Sequence, residues 1–120
     1  MDPLKAFPRR RKRSSGARPF RRTMWVKPFR EPGKLSPPDA RAISSSVVRL
    51  APGDRVGEHM TAAKEELLFV LEGEATVLVG GTAKVVPAGH AAYVPPDLLH
   101  DVANATSAVL TYVYVTAKLP

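Results

Sequence analysis

The chain has 120 residues, no cysteine and a formal net charge of +7 at pH 7. This length suits one domain with a modest core. Without cysteine there can be no disulfide, no thiolate nucleophile and no sulfur-ligated metal, so any metal must use nitrogen and oxygen ligands. No run of 18 apolar residues occurs, and no apolar stretch with a cleavage site follows the basic N-terminus. We therefore expect no membrane span, no secretory signal and a cytoplasmic location.

The positive charge is concentrated at the start of the chain. Residues 1–30 hold 11 basic residues and one acidic residue, whereas residues 31–120 hold 7 basic and 10 acidic residues. The run RRRKR at 9–13 lies among prolines, serines and a glycine, with too little apolar surface to offset the entropy of ordering. We predict that residues 1–23 form a flexible basic tail. Residues 9–22 offer contact with nucleic acid or another anionic surface, although a solvated extension is the favoured interpretation.

Residues 24–42 are predicted to form an extended arm. Prolines at positions 28, 32, 37 and 38 exclude a helix there. Trp25, Val26 and Phe29 offer apolar side chains to a neighbouring surface. The segment is expected to be an edge strand or a wrapping arm, or to dock on a second subunit. Because a small barrel leaves edges to be covered, we expect a homodimer.

Short β-rich runs alternate with glycine and proline turns over residues 43–120. The runs are Ile43–Leu50, Leu67–Leu71, Ala75–Val79, Lys84–Val86, Ala91–Val94 and Ala108–Thr116. No stretch has helical periodicity. Eight or so strands at this spacing predict an all-β fold, either a small antiparallel barrel or a double-sheet jelly roll. Gly73 and the pair Gly80-Gly81 mark tight hairpins, in which glycine readily adopts positive φ.

Three potential metal ligands occur at spacings that such hairpins would bring together. His59 is followed seven residues later by Glu66, and His100 lies further along the chain. Two imidazoles and one carboxylate form the ligand set of mononuclear non-haem iron sites, and the set also suits manganese, zinc or nickel. Each residue alone would more often be a surface or hydrogen-bonded side chain. Their joint spacing favours a metal centre.

These residues belong to a longer pattern that resembles the two motifs of the cupin superfamily. The matching positions are Gly53, His59, Glu66 and Gly73 in the first motif, and Gly81, Pro87, Gly89, His100 and Asn104 in the second. The resemblance covers about residues 43–116 and implies a cupin-like β-barrel with a divalent metal on His59, Glu66 and His100. Thr61 stands where the motif has a second histidine, which reduces four ligands to three. His90 is interpreted as a turn residue.

Five further residues are candidates for the pocket: Thr61, Tyr93, Asn104, Tyr112 and Tyr114. Thr61 is two residues from His59, so it shares a strand face with it and could orient a bound water. Tyr112 and Tyr114 also share a face, and a buried phenol needs a polar partner. The alternatives are that the tyrosines fill the core or a dimer contact and that Asn104 caps a turn.

The resemblance leaves the activity open, because one fold hosts many chemistries. Iron or manganese with three open positions would suit an oxygenase, whereas zinc or nickel would suit an isomerase, in either case acting on a small polar molecule. Arg55 and Lys64 flank the ligand strand and offer charge pairing with an anionic substrate. One alternative is a non-enzymatic ligand-binding or regulatory protein with weak or absent metal. Another is a storage or structural dimer with a degenerate site. No residue is assigned a catalytic role.

Overall fold

The computed structural model describes Met24, residues 34–35 and residues 40–120. The predicted basic tail of residues 1–23 and the side chains of Trp25, Val26 and Phe29 lie outside these described residues. The described part of the chain forms β1 (Lys34–Leu35), β2 (Ile43–Leu50), β3 (His59–Met60), β4 (Lys64–Glu72), β5 (Glu74–Val79), β6 (Thr82–Pro87), β7 (Ala91–Val94), β8 (Leu99–Ala103) and β9 (Leu110–Lys118). It contains no helix, so it also has no helix that could cross a membrane.

The nine described strands form two antiparallel sheets that face each other. One sheet has five strands in the order β1-β2-β9-β4-β7, and the other has four in the order β3-β8-β5-β6. Alternate residues of each strand point between the sheets, because successive side chains of a strand point to opposite faces. The core between the sheets consists of Leu50, Leu68, Val70, Ala75, Val77, Val86, Val94, Val102, Leu110 and Tyr112. The predicted all-β jelly roll is confirmed.

The strand predictions agree with the structure where a run of apolar residues ends at a turn. Ile43–Leu50 and Ala91–Val94 have the predicted bounds, and Leu67–Leu71 is the centre of the longer strand β4. In the arm, Lys34–Leu35 pairs with β2 as a short edge strand. The strands β3 and β8 are not among the predicted runs. Each is short and carries a histidine, so neither has a clear apolar pattern.

Strand register decides which side chains meet between the sheets. In the four-stranded sheet, β3 pairs with β8 so that His59 lies directly opposite His100. In the five-stranded sheet, Glu66, Leu68 and Val70 are alternate residues of β4, so they lie on the same face of the strand, and all three are buried. Because inward positions repeat every second residue, Glu66 faces the interior and Glu65 does not.

Gly73 connects β4 in one sheet to β5 in the other, and no other residue fits there. Its φ is +79°, a left-handed conformation that L side chains rarely adopt. A Cβ atom at this position would also collide with the carbonyl oxygen of Val109. Gly81, in the β5–β6 hairpin, has a similar φ of +85°, but a Cβ atom there would meet nothing within 4 Å.

We predict that Gly73→Ala destabilises the protein more than Gly81→Ala does. Gly81→Ala adds only left-handed strain and should lower the free energy of unfolding by about 1 kcal/mol. Gly73→Ala adds the collision with the Val109 backbone and should lower it by roughly 2–4 kcal/mol. Urea unfolding of both variants measures the difference. Equal losses would contradict the close approach of β9 to Gly73.

Candidate metal centre

The two histidines on β3 and β8 form an edge-to-face pair. Their ring centroids are 4.2 Å apart, and their planes are inclined at 61°. The Nδ1 atom of His59 lies 2.7 Å from the carbonyl oxygen of Gly57, and Nδ1 of His100 lies 3.1 Å from the carbonyl oxygen of Leu98. A carbonyl oxygen only accepts, so each Nδ1 carries the proton and donates it. In the neutral rings, both Nε2 atoms therefore have a free lone pair.

His100 is the more enclosed of the two histidines. Its side chain is almost fully buried, and within the described residues its Nε2 atom has no hydrogen-bond partner. A buried polar atom without a partner is costly, since it has lost water and gained nothing in exchange. A metal ion or a ligand donor would satisfy it. The apolar core therefore gives this nitrogen no partner within the described residues.

Glu66 approaches the histidine pair from the opposite sheet. Its side chain is 6% exposed. Burial raises the pKa of Glu66, and the neighbouring His100 and His59 act in the lowering direction without cancelling that effect. None of the side-chain hydrogen bonds in the described part of the chain involves its carboxylate. A carboxylate buried to this extent is stabilised by a cation, a donated hydrogen bond or a proton, and it lines a cavity that could admit one.

A cavity of about 410 Å³ opens beside these residues. Its polar lining includes Lys34, Ser44, His59, Thr61, Lys64, Glu66, Tyr112, Tyr114 and Thr116. The Thr61 Oγ1 atom is buried and, within the described residues, has no hydrogen-bond partner. The pKa of both Tyr112 and Tyr114 is raised, mainly by burial and to a smaller extent by the negative charge of Glu66. Both phenols therefore keep their protons at neutral pH and can donate hydrogen bonds into the cavity.

Two of the candidate pocket residues lie away from this cavity. Tyr93 is half-exposed on the outer face of β7 and donates its hydroxyl proton to Glu65 Oε1 at 3.0 Å. Asn104 is buried in the turn after β8, where its amide donates to the carbonyl oxygens of Leu50 and Ala108. Those are the contacts of a turn cap, the alternative considered for it. His90 lies in the β6–β7 turn, as predicted, with Nδ1 near its own turn backbone.

The three predicted ligands are neighbours but do not form a closed cage. Among the described residues, no group of three or more histidine, aspartate or glutamate side chains is close enough together to hold a metal ion as it stands. The imidazoles touch, and Glu66 interacts electrostatically with both. The fit to a divalent metal therefore rests on the donor chemistry, and binding would require Glu66 or the rings to rotate toward one another.

An ion pair between Asp101 and Arg55, which the sequence does not predict, joins β8 to the segment before β3. Asp101 is 1% exposed, and its Oδ1 atom accepts from the backbone amides of Gly57 at 2.9 Å and Val102 at 2.7 Å. Its Oδ2 atom pairs with the Arg55 guanidinium. Burial acts to raise the pKa of Asp101, but the bonds from Arg55, Gly57 and Val102 outweigh it, and the pKa is lowered. Arg55 is thus engaged outside the cavity, and only Lys64 of the two predicted anion contacts lines it.

Comparison with known families shows which family the chain belongs to. A sequence model described as a cupin domain matches residues 46–116, more than half of the chain. The chain belongs to the cupin family. Comparison of this cupin with curated proteins gives no match.

Solved structures are similar to this cupin over most of its described part. A protein from Thermus thermophilus is 27% identical, with a TM-score of 0.63 over 68% of this chain and 78% of the other. A predicted oxalate decarboxylase from Thermotoga maritima is 18% identical, with a TM-score of 0.59 over 72% of this chain and 85% of the other. An oxalate oxidase in complex with the substrate analogue glycolate is 25% identical, with a TM-score of 0.60, over 64% of this chain. The match covers only 42% of that oxidase.

We predict that Asp101→Asn weakens the fold in a pH-dependent way. Folding lowers the pKa of Asp101, so the ionised carboxylate stabilises the folded state. This stabilisation is complete above the ordinary aspartate pKa of about 3.9 and is lost as pH falls through the lower pKa of the folded state. At pH 7 the variant should lose about 1–2 kcal/mol of unfolding free energy. Below pH 4 the difference from the wild type should shrink.

The matched control is Asp54→Asn, because Asp54 is exposed nearby. It should leave the unfolding free energy nearly unchanged at both pH values. Urea unfolding at pH 7 and pH 3.5 gives the comparison. An Asp101→Asn loss that stays constant across this range would contradict the charge pairing with Arg55.

Proposed function

We propose that this cupin binds a divalent metal ion through His59, Glu66 and His100. The observation that carries the proposal is a buried carboxylate beside two imidazoles whose Nδ1 atoms lie against carbonyl oxygens, which in the neutral rings leaves both Nε2 lone pairs for a metal. A cation between them would neutralise Glu66 and satisfy the orphaned His100 Nε2 atom. Iron, manganese, zinc and nickel all accept this nitrogen and oxygen set.

Thr61 limits the protein ligands to three in this proposal. A hydroxyl is a weak ligand beside an imidazole, but the Thr61 Oγ1 atom is buried at the cavity and without a partner among the described residues. It is therefore suited to hold a water or a ligand oxygen next to the metal. Three protein ligands leave positions for a small molecule, as sites that act on substrates require.

The cavity lining favours a small anionic molecule with several oxygen atoms. Lys34 and Lys64 supply positive charge, and the protonated phenols of Tyr112 and Tyr114 can donate hydrogen bonds. Two structurally similar proteins are named for reactions of oxalate, a small dicarboxylate of this kind. We propose a small carboxylate as the ligand class, with oxalate as the first molecule to test.

The metal decides which reaction the cavity would support. A bound metal supplies either Lewis acidity, which suits an isomerase, or a redox centre for an oxygenase. The protein residues bind and orient the small molecule: the lysines pair with its negative charge, and the Tyr112 hydroxyl donates a hydrogen bond to it.

The cytoplasmic location and an anionic-surface contact through residues 9–22 stay predictions.

A second candidate function is carboxylate binding without a metal. Two observations favour it: the three ligands do not form a closed group within the described residues, and Lys34 and Lys64 line the same cavity. In this case Glu66 would be protonated beside the anion, which its raised pKa favours. The protein would then be a small-ligand-binding or regulatory cupin and not an enzyme.

We predict that protein purified without added metal contains close to one transition metal per chain, and that His59→Ala and Glu66→Gln each lose it. Elemental analysis measures the content. The matched control is His90→Ala, since His90 is exposed in a distant turn. After chelation, Glu66→Gln should be at least as stable as the wild type, because it removes a buried charge. This separates a ligand role from a structural one.

Two outcomes would contradict metal binding. One is a wild-type protein that contains no metal and is not stabilised thermally by manganese, iron(II), zinc or nickel. The other is equal metal content in the wild type and in both site variants. If oxalate then binds the metal-free wild type and Lys64→Ala weakens it about three- to tenfold, the second candidate function is supported.

A further inference from the structure

A second cavity lies at the edge of the sandwich away from the candidate metal centre. β7 and β6 are the last strands of their sheets, and no described strand closes the gap between them. A cavity of about 580 Å³ opens there, which we call the β6–β7 groove. We define it by Val77, Val79, Lys84, Val86, Pro87 and Ala92. It shares no described lining residue with the cavity at the candidate metal centre, which is lined partly by β1, β2 and β3 at the other edge of the sheets.

The walls of the groove are apolar because inward-facing side chains of three strands meet there. Val77 on β5 and Val86 on β6 are buried. Ala92 on β7 lies opposite Leu68, a fully buried residue of β4, so it also faces the interior. Val79 and Ala92 pack against the core but are only partly buried. Apolar side chains that face the interior without full cover are typical of a small-molecule site.

The small side chain of Ala92 contributes to the space in the groove. Its neighbours on the inner face of β7 and β4 are Val94 and Leu68, and both are larger and fully buried. An alanine in the same row cannot reach as far toward β5 and β6. A larger apolar side chain at position 92 would therefore fill part of the groove.

One positive charge faces this apolar groove. Lys84 lies directly opposite Val77 and two residues from Val86, and both valines are buried. Opposed residues and alternate residues share a face of a sheet, so Lys84 is on the inner face too. None of the described residues that line the groove is acidic. Within the described part of the chain, the Lys84 ammonium group has no ion pair.

A lysine at this position also suits a second role. Edge strands often carry an inward-pointing charge, which prevents them from pairing with another chain. Edge protection requires the charge alone, whereas ligand binding requires the charge together with the apolar walls. The affinity for a ligand that has both an anionic group and an apolar chain therefore distinguishes the two roles.

We propose that the β6–β7 groove binds a free carboxylate with an apolar chain, such as a medium-chain fatty acid. The carboxylate would pair with the Lys84 ammonium group, and the chain would lie against Val77, Val86 and Ala92. This ligand matches the single positive charge and the apolar walls. The volume of about 580 Å³ is in the range of roughly 300–1,000 Å³ that small-molecule sites have, which favours a free molecule over a membrane or a peptide. The groove is separate from the candidate metal centre, so this proposal and the proposed function can fail independently.

Methyl NMR of the full chain during titration with octanoate tests the proposal. Octanoate should shift the methyl resonances of Val77, Val86 and Ala92, and it should leave those of Val48 and Val102 at the other cavity unchanged. From hexanoate to decanoate, the dissociation constant should fall about two- to fourfold for each added methylene, because each one buries more apolar surface. Absence of binding, shifts confined to Val48 and Val102, or an affinity independent of chain length would each overturn the proposal.

Removal of the charge gives a second test. Lys84→Met keeps a long apolar side chain and should raise the dissociation constant for octanoate about three- to tenfold. The matched control is Lys118→Met, which removes an exposed lysine at the end of β9 and should leave the constant within about twofold of the wild type. Octanol should bind the wild type and Lys84→Met equally. If Lys84→Met leaves the octanoate constant unchanged, Lys84 only protects the edge and the proposal is wrong.

Filling the groove tests the apolar walls with every charge in place. Ala92→Leu should raise the dissociation constant for octanoate about tenfold or more, because the larger side chain occupies the space of the ligand chain. The matched control is Ala83→Leu, which adds the same volume at an exposed position of β6 outside the groove and should bind as the wild type does. Circular dichroism checks that both variants are folded. A folded Ala92→Leu variant that binds octanoate with wild-type affinity would contradict the proposed site.

Discussion

The antiparallel pairing of β3 with β8 is the constraint on which the candidate site depends. It places His59 opposite His100, and the backbone carbonyls of Gly57 and Leu98 fix both rings through Nδ1. Asp101, the residue after His100, holds the amide of Gly57 on the other side of the strand. A shift of one residue in this pairing would turn His59 to the outer face. The site thus depends on hydrogen bonds around a strand only two residues long.

Glu66 is one of several polar groups in the candidate site whose burial costs stability. The residue is buried beside two imidazoles, and burial raises its pKa. The Thr61 hydroxyl and His100 Nε2 are also buried, and they have no partners among the described residues. A core selected for stability alone would fill these positions with apolar side chains. Local departures of this kind are concentrated where proteins bind ligands.

The sequence predicts the elements whose signals are local. Turn glycines bound most strands, and the spacing from Gly73 selects Glu66 over Glu65, which agrees with the burial of Glu66 in the structure. The sequence does not predict the Arg55–Asp101 pair, because 46 residues separate the partners and only the folded register brings them together. The sequence does not predict the outward position of Tyr93 for a similar reason. That position follows from the pairing of β7 with β4, which the four residues of β7 alone do not indicate.

Long-range proton–nitrogen correlation NMR of the metal-free chain reports most directly which nitrogen of each imidazole carries the proton. We expect both His59 and His100 to be Nδ1–H tautomers at pH 7.5, and zinc to shift both Nε2 resonances but not those of His90. The bond each Nδ1 donates to a carbonyl oxygen is the physical reason. An Nε2–H tautomer at either residue, or Nε2 resonances that zinc leaves unchanged, would contradict a site in which both Nε2 lone pairs bind a metal.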